Sequence, residues 1–504
     1  MVKKAVKTTY KVMLHLVNIL VAIFFIFGLL FMFGIFWLFK TFPNVNLDEL
    51  IFQITAPIEG TNTEMINDFL LTALLPAAAI FLIGMFILHF LKKGKRVCRT
   101  VFTVASAAMI AFSSSMAWNR LDVKAYMKAN SSENVKFIEE NYVDPVNVDI
   151  TFPEQKRNLL FIYLESTEIT FASKDVGGAF DENLIPEITQ LSLENENFSG
   201  GHTVLNGANA LSGSTWTIGS MFSSSSGLPL KVALSDHNAM STQTQFFATT
   251  KTMGDILLEN GYSNHLLIGS DASFGGRKLY YETHGDFDIQ DLYTQQQAHK
   301  LPSDDYQVWW GYEDLYLYQF AQEKLTELGN SDQPFNMTML TVDTHFEDGY
   351  KCALCGNEHP DNQYADVYSC ASKQLSAFIE WCKQQPWYEN TTIVITGDHP
   401  TMDADFCKDI DPNYQRKVVT MILNSPTVNQ MPESYREYST FDLFPTTLSA
   451  LGAEIPGNRL GLGTDLYSGA ETLTELCGVE EENKKLMANS EFMRKRANLS
   501  EPNE

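Results

Sequence analysis

The sequence predicts an α/β domain with a mostly parallel sheet sandwiched by helices, preceded by an N-terminal anchor of three transmembrane helices. Three observations lead to this fold class. Long apolar runs fill much of the first 118 residues. Later apolar runs are short, β-branched and followed by acidic residues or histidine, and a segment with helical spacing lies between two of them. The 504 residues also exceed the ~250–300 at which a single core stops growing.

Three apolar segments predict the membrane anchor, with helices at about 11–39, 69–91 and 101–118. A helix needs ~20 apolar residues to cross a bilayer. The first two runs meet this length, and Lys11, at the start of the first run, is the one charged residue in them. The third is the most polar of the three. The first run is too long for the apolar core of a cleavable signal peptide, so we expect the anchor to be retained.

Basic residues predict the orientation of this anchor. They cluster before the first helix and between the second and third, and such clusters stay on the cytoplasmic side. The residues concerned are Lys3, Lys4, Lys7, Lys11, Lys92, Lys93, Lys95, Arg96 and Arg99. Three crossings then place everything after about residue 119 outside the membrane.

The remaining chain divides into three parts by composition. We expect a linker helix at 119–157, a catalytic domain at 158–478 and a charged tail at 479–504, with residues 1–118 as the anchor. The formal net charge is −25, although the first 100 residues are net basic, so the acidic excess lies outside the membrane. This charge disfavours a nucleic-acid partner.

Six of the seven cysteines lie in the part predicted to be outside the membrane, where disulfides persist. Disulfides are therefore favoured, and three bridges are possible, with a connectivity that the sequence does not give. A structural zinc site is the alternative, formed by the Cys352-x-x-Cys355 pair with Cys370 and Cys407. The six residues are Cys352, Cys355, Cys370, Cys382, Cys407 and Cys477.

Four apolar runs of the outer domain end in polar side chains. They are followed by Glu165 after 158–164, Asp271 after 264–268, Asp343 and His345 after 336–341, and Asp398 with His399 after 392–397. Residues 370–385 between the last two runs repeat apolar side chains at helical spacing, which predicts a βαβ crossover and a parallel sheet. Ligands of such sheets bind outside the carboxyl ends of the strands. We therefore expect these side chains to gather at one edge.

Glu165, Asp398 and His399 are a ligand set suited to a divalent Mn, Mg or Zn ion. The segment 206–230 is rich in Gly, Ser and Thr and acquires an apolar face only from Ile218 onward. A hydroxyl at the start of a short helix there would lie beside free N–H groups that favour a phosphate or an alkoxide. Thr217 is the hydroxyl predicted for this position. The same composition is also typical of a flexible loop.

The order of these motifs resembles the alkaline phosphatase and sulfatase superfamily, in particular its lipoteichoic acid synthase and phosphoglycerol transferase branch. The resemblance covers about residues 155–468. It rests on "LES" at 164–166, "TWTIGSM" at 215–221, "HG" at 284–285, "DTHF" at 343–346, "GDHP" at 397–400, and the segments 441–452 and 457–469. Residues 44–61, between the first two helices, are similar to the outer loop of membrane phosphoglycerol transferases.

The resemblance implies an alkaline-phosphatase/sulfatase-like fold and a metal-dependent phosphotransferase. Its metal ligands fall on Glu165, Thr217, Asp398 and His399, with Thr217 also the nucleophile and Mn the expected ion. Arg277, His284 and His345 match positions that hold phosphate and glycerol in relatives, and the two histidines are candidate acids or bases. Each histidine is also compatible with a structural role. We expect Asp343 and Asp271 to end strands or to support the metal ligands, and not to bind the metal themselves.

The substrates implied are phosphatidylglycerol as donor and a cell-surface or periplasmic glycan as acceptor, at a bacterial cell membrane. Gly275 stands where lipoteichoic acid synthases have a binding-site aromatic, and a histidine of theirs is missing near Ile268, which favours decoration of a glycan over polymerisation. A sulfatase is disfavoured because no Cys-x-Pro-x-Arg or Ser-x-Pro-x-Arg is present. A phosphoethanolamine transferase and a catalytically silent domain that binds a glycan or a partner protein remain as alternatives.

Overall fold

The structure is a computed structural model. It describes residues 2–43, 45–56, 61, 63–91, 93–129, 134–232 and 244–497. The chain forms two compact units, each described here by itself. The helical unit comprises Met1–Leu47 and Thr61–Lys124, and the α/β unit comprises Asp48–Gly60 and Ala125–Glu504.

The helical unit contains the three long apolar helices expected from the sequence. Thr8–Thr41, Met65–Phe90 and Lys95–Arg120 are long and apolar enough to cross a membrane. The helices are α1 (Val2–Thr41), α3 (Thr63–Phe69), α4 (Leu75–Phe90) and α5 (Lys95–Arg120), while α2 (Leu47–Thr55) falls almost wholly in the α/β unit. A π-helical turn at Leu70–Leu74 joins α3 to α4. It precedes Pro76, which lacks an N–H and would clash in a regular helix.

A seven-stranded sheet is the centre of the α/β unit. Its strands are β1 (Asn158–Leu164), β2 (Gly207–Ala208), β3 (Ser263–Ile268), β4 (Asp288–Gln290), β5 (Phe335–Leu340), β6 (Thr391–Gly397) and β7 (Val418–Leu423). The order is β2-β7-β6-β1-β5-β3-β4. The five strands from β6 to β4 are parallel, and β7 and β2 continue the sheet by antiparallel pairing. The mostly parallel sheet predicted from the sequence is confirmed.

The helices that follow α5 are α6 (Val123–Ala129), α7 (Phe137–Asn141), α8 (Pro186–Glu194), α9 (Thr217–Ser226), α10 (Met253–Glu259), α11 (Arg277–Thr283), α12 (Leu292–Gln297), α13 (Asp314–Gly329), α14 (Gln363–Lys383), α15 (Leu443–Ala450), α16 (Leu473–Cys477), α17 (Val479–Leu486) and α18 (Glu491–Ala497). Of these, α10 and α13 pack against β3, and α8 packs against β7. A short hairpin, β8 (Arg459–Leu460) and β9 (Gly463–Thr464), precedes α16. Every residue of β1, β5 and β6 is buried, as continuous apolar strands require.

The crossover from β5 to β6 runs through α14, so that the two strands flank β1. One face of the sheet packs Ile162 and Ile395 against helix residues such as Leu317 of α13 and Phe378 of α14. On the other face the Tyr163 hydroxyl lies 2.6 Å from Ser224 Oγ of α9. This arrangement brings the carboxyl ends of β1, β5 and β6 side by side.

The segments on either side of the predicted catalytic domain pack onto the α/β unit. Within 119–157 the structure contains two short helices, α6 and α7, and single bridges join Val143 to Gly461 and Thr151 to Glu454. The tail up to residue 497 forms α17 and α18, and Glu482 and Leu486 are buried. Residues 498–504 of the predicted tail lie outside the described residues.

The cysteines differ from the sequence-based expectation of disulfides. All seven lie within the described residues, and all seven are free. The Cys352 sulfur lies 3.7 Å from that of Cys355 and 3.8 Å from that of Cys370. These separations exceed the ~2.05 Å of a sulfur–sulfur bond.

Candidate active site

Glu165, Asp398 and His399 meet at the carboxyl edge of the sheet. In the parallel pairing of β1 with β6, Leu164 lies opposite Gly397, so the next residues of the two strands are neighbours. His399 Nε2 lies 3.6 Å from Glu165 Oε1 and 3.4 Å from Asp398 Oδ2. All three side chains are buried. Adjacency of the two strands thus brings together ligands more than 230 positions apart in the chain.

Backbone and hydroxyl donors orient the two carboxylates. Asp398 Oδ1 accepts the backbone N–H groups of Ser166 and His399, each at 2.7 Å. Glu165 Oε1 accepts the Ser166 hydroxyl at 2.8 Å. Asp398 Oδ2, in contrast, is buried without a hydrogen-bond partner among the described residues. A buried carboxylate oxygen without a donor is costly, and a bound cation would remove that cost.

The His399 ring is fixed in the tautomer that a metal ligand needs. Its Nδ1 donates to the carbonyl of Pro400 at 3.0 Å, so Nε2 presents its lone pair to the two carboxylates. Burial disfavours the charged ring, but the charges of Asp398 and Glu165 outweigh burial and raise the pKa of His399. Burial and the charge of Glu165 raise the pKa of Asp398 to about 7. The concentration of negative charge suits a divalent cation.

Thr217 is the first residue of α9 and completes the cluster. Its Oγ1 lies 3.4 Å from His399 Nε2. The preceding residue, Trp216, has extended backbone angles, which turn the chain sharply into the helix. Gly219 makes room for the Trp216 ring, because a Cβ there would lie 3.0 Å from it. The hydroxyl therefore lies at a helix N-terminus, beside N–H groups that favour negative charge.

These four residues pass a chemical test for a divalent metal site. Glu165, Asp398 and His399 place potential ligand atoms within 4.8 Å of one another. The donor set of two carboxylates and one imidazole, with a hydroxyl alongside, matches what Mn, Mg and Zn bind in proteins. The unpaired Asp398 oxygen and the fixed His399 tautomer add to the fit.

His345 lies near the cluster, against an aromatic wall. Its ring is 4.4 Å from that of Trp310, and Phe274 lies 5.1 Å further along. Nδ1 donates to the Phe346 carbonyl at 2.8 Å, so Nε2 bears the lone pair. Burial, assisted by repulsion from His399, lowers the pKa of His345 to about 4. The ring is therefore neutral near pH 7 and able to accept a proton.

Arg277 is buried at the start of α11 and adds positive charge close to the two carboxylates. Its Nε and Nη2 donate to the carbonyls of Phe274 and Asp271, at 3.1 and 2.7 Å. These bonds fix the guanidinium plane while the Nη1 group has no hydrogen bond among the described residues. A fixed guanidinium suits recognition of a phosphate oxygen.

His284 is not part of this cluster. Its Nδ1 lies 3.0 Å from Asp255 Oδ2 and its Nε2 lies 2.7 Å from the carbonyl of Phe246. The ring is buried and both nitrogens face protein oxygens, so the observed contacts favour the structural alternative for this histidine. Asp271 Oδ1 accepts the backbone N–H of Ser273, and Asp343 Oδ1 accepts that of Asp314. Asp343 Oδ2 is buried without a hydrogen-bond partner among the described residues.

Helix α2 contributes residues that the sequence reasoning did not assign to the site. Phe52 is 1% exposed and its ring lies 5.7 Å from that of Trp216, next to the nucleophile position. Glu49 is buried and contributes to the negative field at His399. Asp48 pairs with Lys231 at 3.0 Å and accepts the Ser212 hydroxyl at 2.7 Å. The similarity of 44–61 to a family loop was the available signal, but it carried no contact information.

Two tryptophans of the aromatic wall were also missed. Trp310 stacks on His345, and Trp309 donates its indole N–H to the His345 carbonyl at 3.3 Å. The "VWWGYED" segment at 308–314 was visible in the sequence as an unusual pair of aromatic residues. Nothing in its spacing connected it with a histidine some 35 positions later.

Comparison with known proteins identifies the family. The sulfatase family model matches residues 157–453, more than half of the chain. The chain belongs to the sulfatase family. The matched region contains Glu165, Thr217, Asp398 and His399.

Sulfatase-family relatives with assigned names include phosphoglycerol transferase I. The protein of that name from Escherichia coli (strain 55989 / EAEC) is 31% identical over 334 residues, which are 65% of this chain and 41% of the relative. Phosphoglycerol transferase I from Escherichia fergusonii matches to the same extent. The chain thus spans about two fifths of the length of these relatives. Over these 334 residues the chain is similar to phosphoglycerol transferase I.

A solved structure shares the fold. The lipoteichoic acid synthase LtaP from Listeria monocytogenes superposes with a TM-score of 0.51 at 17% sequence identity, covering 72% of this chain and 97% of that one. The alkaline-phosphatase/sulfatase-like fold predicted from the motifs is therefore confirmed.

Proposed function

We propose that this protein is a membrane-anchored phosphoglycerol transferase. It moves glycerol phosphate from phosphatidylglycerol to a glycan outside the cytoplasmic membrane. The observation that carries the proposal is the hydroxyl of Thr217, which lies at a helix N-terminus 3.4 Å from His399 Nε2, beside two buried carboxylates. The 31% identity to phosphoglycerol transferase I supports the choice of donor.

Glu165, Asp398, His399 and Thr217 would hold one divalent cation, with Mn the first candidate. Such a cation supplies a lowered pKa for the Thr217 hydroxyl and offsets charge that develops on the phosphodiester. The chain itself provides the orientation. Ser166 and the backbone of His399 hold the carboxylates, and Pro400 holds the imidazole.

The reaction proceeds in two displacements at phosphorus. Thr217 Oγ1 loses its proton to solvent and bonds to phosphorus, and the bond to the diacylglycerol oxygen breaks. The leaving oxygen takes a proton from solvent, which gives free diacylglycerol and a glycerophosphoryl-threonine. A hydroxyl of the acceptor then loses its proton and bonds to phosphorus as the bond to Thr217 breaks, and Thr217 Oγ1 takes up a proton, so the enzyme is regenerated. No oxidant or further reactant is needed.

His345 and Arg277 are assigned to the substrates. The neutral His345 ring, with Nδ1 committed to the Phe346 carbonyl, accepts a proton at Nε2 from the incoming hydroxyl. Arg277 binds a phosphate oxygen through the edge of its guanidinium that makes no bond to the protein. His284 holds α10 and α11 together through Asp255 and supports the site from a distance.

The acceptor is assigned to the class of glycans. Trp310 and Phe274 form an aromatic wall beside His345, and Trp309 donates its indole N–H to the His345 carbonyl. Aromatic surfaces suit the apolar face of a sugar ring. Gly275 leaves the space beside Ile218 open where polymerising relatives carry an aromatic side chain. A single transfer to each acceptor hydroxyl follows from that difference.

The membrane helices serve the lipid donor. Basic residues before the first helix and between the second and third orient the α/β unit to the outer side of the membrane. Because the helices hold the catalytic domain at the membrane, the domain meets a higher effective concentration of a lipid substrate than it would without the anchor.

The test uses the full chain in detergent with Mn and a fluorescent phosphatidylglycerol. Release of diacylglycerol by the wild-type chain and its loss in Thr217→Ala, with retention in Thr326→Ala, is the expected result. Thr326 is an exposed threonine of α13, so its variant makes the same chemical change on a helix surface. Mass spectrometry of the wild-type chain should also show glycerol phosphate bound to Thr217.

Two results would overturn the proposal. Release from phosphatidylethanolamine but not from phosphatidylglycerol would identify a phosphoethanolamine transferase. No turnover of either lipid by a chain without bound metal would favour the silent glycan-binding domain.

A further inference from the structure

We propose a second metal site in this protein: Cys352, Cys355 and Cys370 bind one zinc ion that has a structural role. The three sulfurs come from two elements, the loop that follows β5 and the helix α14. They share no residue with the cluster formed by Glu165, Asp398 and His399. The site is therefore additional to the one used by the proposed reaction.

The spacing of the sulfur atoms fits a tetrahedral metal. The Cys352 sulfur lies 3.7 Å from that of Cys355 and 3.8 Å from that of Cys370, and all three lie within 4.8 Å of one another. Zinc–sulfur bonds of ~2.3 Å at the tetrahedral angle place two sulfurs about 3.8 Å apart. The observed separations therefore match those of two sulfurs bound to one zinc ion.

The surroundings of the sulfurs are those of metal-bound thiolates. The backbone N–H of Cys355 donates to the Cys352 carbonyl at 3.1 Å, which closes the turn of the Cys-x-x-Cys segment and brings the two sulfurs to the same side. The amide nitrogen of Gln374, one helical turn after Cys370, lies 3.4 Å from the Cys370 sulfur. Donors of this kind orient thiolate ligands and stabilise their negative charge. Soft sulfur ligands in such a set select zinc among the common divalent ions.

Three protein ligands would leave one position of a four-coordinate zinc ion for a water molecule. Cys352 and Cys370 are buried and Cys355 is half-exposed, so solvent would approach the ion from the side of Cys355. Cys407, the fourth sulfur considered from the sequence, packs instead against the hydrophobic core of the α/β unit. On binding, the three thiols release their protons to solvent and no redox change occurs.

The ion would fasten the loop after β5 to α14. That loop also carries His345, and hydrogen bonds and ion pairs already join it to α14, among them the Tyr364 hydroxyl on the Thr344 carbonyl and Lys351 on Asp366, each at 2.6 Å. The segment from 341 to 362 has no regular secondary structure, and a metal link would add to these polar contacts. A metal link between the two elements lowers the entropy that this loop retains in the folded state.

The experiment compares the wild-type full chain in detergent with Cys355→Ser and with Cys477→Ser. Cys477 is also half-exposed and free but lies outside the group, so it is the matched control. Each chain is stripped with a chelator and reloaded with zinc or with cobalt. We expect Cys355→Ser to lose one equivalent of zinc and the near-ultraviolet thiolate-to-cobalt absorption, and Cys477→Ser to keep both.

Further measurements separate this site from the catalytic one and from a disulfide. Asp398→Asn should keep the thiolate-to-cobalt absorption, because its metal ligands are oxygen and nitrogen. In the wild-type chain, the three thiols should resist alkylation until a chelator is added. Thiols that become reactive only after reduction, without thiolate-to-cobalt absorption in the wild-type chain, would overturn the proposal in favour of a disulfide. These wild-type measurements decide the matter even where a cysteine variant fails to fold.

Discussion

Replacing Phe52 by Ala tests whether the segment between the first two membrane helices is part of the catalytic structure. Phe52 lies on α2, is 1% exposed, and packs its ring 5.7 Å from that of Trp216. Trp216 is 3% exposed and directly precedes Thr217. The substitution therefore leaves a cavity beside the residue that sets the position of the nucleophile.

The expected loss follows from the burial of this ring. Removing a fully buried phenylalanine side chain costs about 3–5 kcal/mol, the upper part of this range applying where the walls do not collapse. In a unit of this size that loss lowers the thermal midpoint by about 5 °C. Because a displacement of ~1 Å at a nucleophile costs on the order of 100-fold in rate, we expect kcat to fall by about 10–100-fold.

The assay measures thermal unfolding and diacylglycerol release for the full chain in detergent. Ile54→Ala is the control, since Ile54 lies on the same helix but is 65% exposed, and it should change neither quantity. Equal effects of Phe52→Ala and Ile54→Ala would refute the argument, because they would show that α2 is not packed against Trp216 in the working protein.

Three further predictions concern buried charge. Lys231→Met removes the partner that lies 3.0 Å from the Asp48 carboxylate and should lower the free energy of unfolding by about 3–5 kcal/mol. Adding Asp48→Asn should restore most of this stability. A single variant as stable as the wild type would contradict the prediction. Burial and the charge of Asp442 raise the pKa of Glu482 to about 8. The stability that this carboxyl contributes is complete below its unfolded pKa, near 4.5, and is lost as the pH rises to about 8. At pH ~9 the free energy of unfolding of Glu482→Gln should therefore exceed that of the wild type by roughly 2–4 kcal/mol, and at pH ~4 the two should differ little. An equal gain in stability at both pH values would contradict this. Burial lowers the pKa of His345 to about 4, so the loss of kcat/KM through its protonation, measured with excess metal, should occur near that pH; an acid limb near the ordinary histidine value of about 6.5 would contradict this.

The strand ends of the candidate site were predictable from the sequence. Buried strands of a parallel sheet need continuous apolar runs, and polar residues directly after such runs must lie at the carboxyl edge. Glu165, Asp398 and His399 were assigned on that ground, and they converge in the structure. Thr217 was assigned from its place before the apolar face of a short helix, and it is the first residue of α9.

Other parts of the site depend on contacts that no local pattern encodes. His284 and His345 looked alike in the sequence, but His284 is enclosed by Asp255 and Phe246 while His345 stacks on Trp310. The difference arises from which chain segments pack around each ring. Contacts between distant chain segments produce no periodic pattern in the sequence.

By itself, the sequence determined the membrane helices, the parallel sheet and the chemical identity of the ligand set, because hydropathy and strand composition act locally along the chain. Only the tertiary structure decided that α2 packs Phe52 against Trp216, that Asp398 Oδ2 is buried without a donor, and that three cysteines converge instead of forming bridges. Each of these depends on the relative positions of segments that are far apart in the chain. Their packing is a property of the whole fold, and it sets the distances on which the chemistry depends.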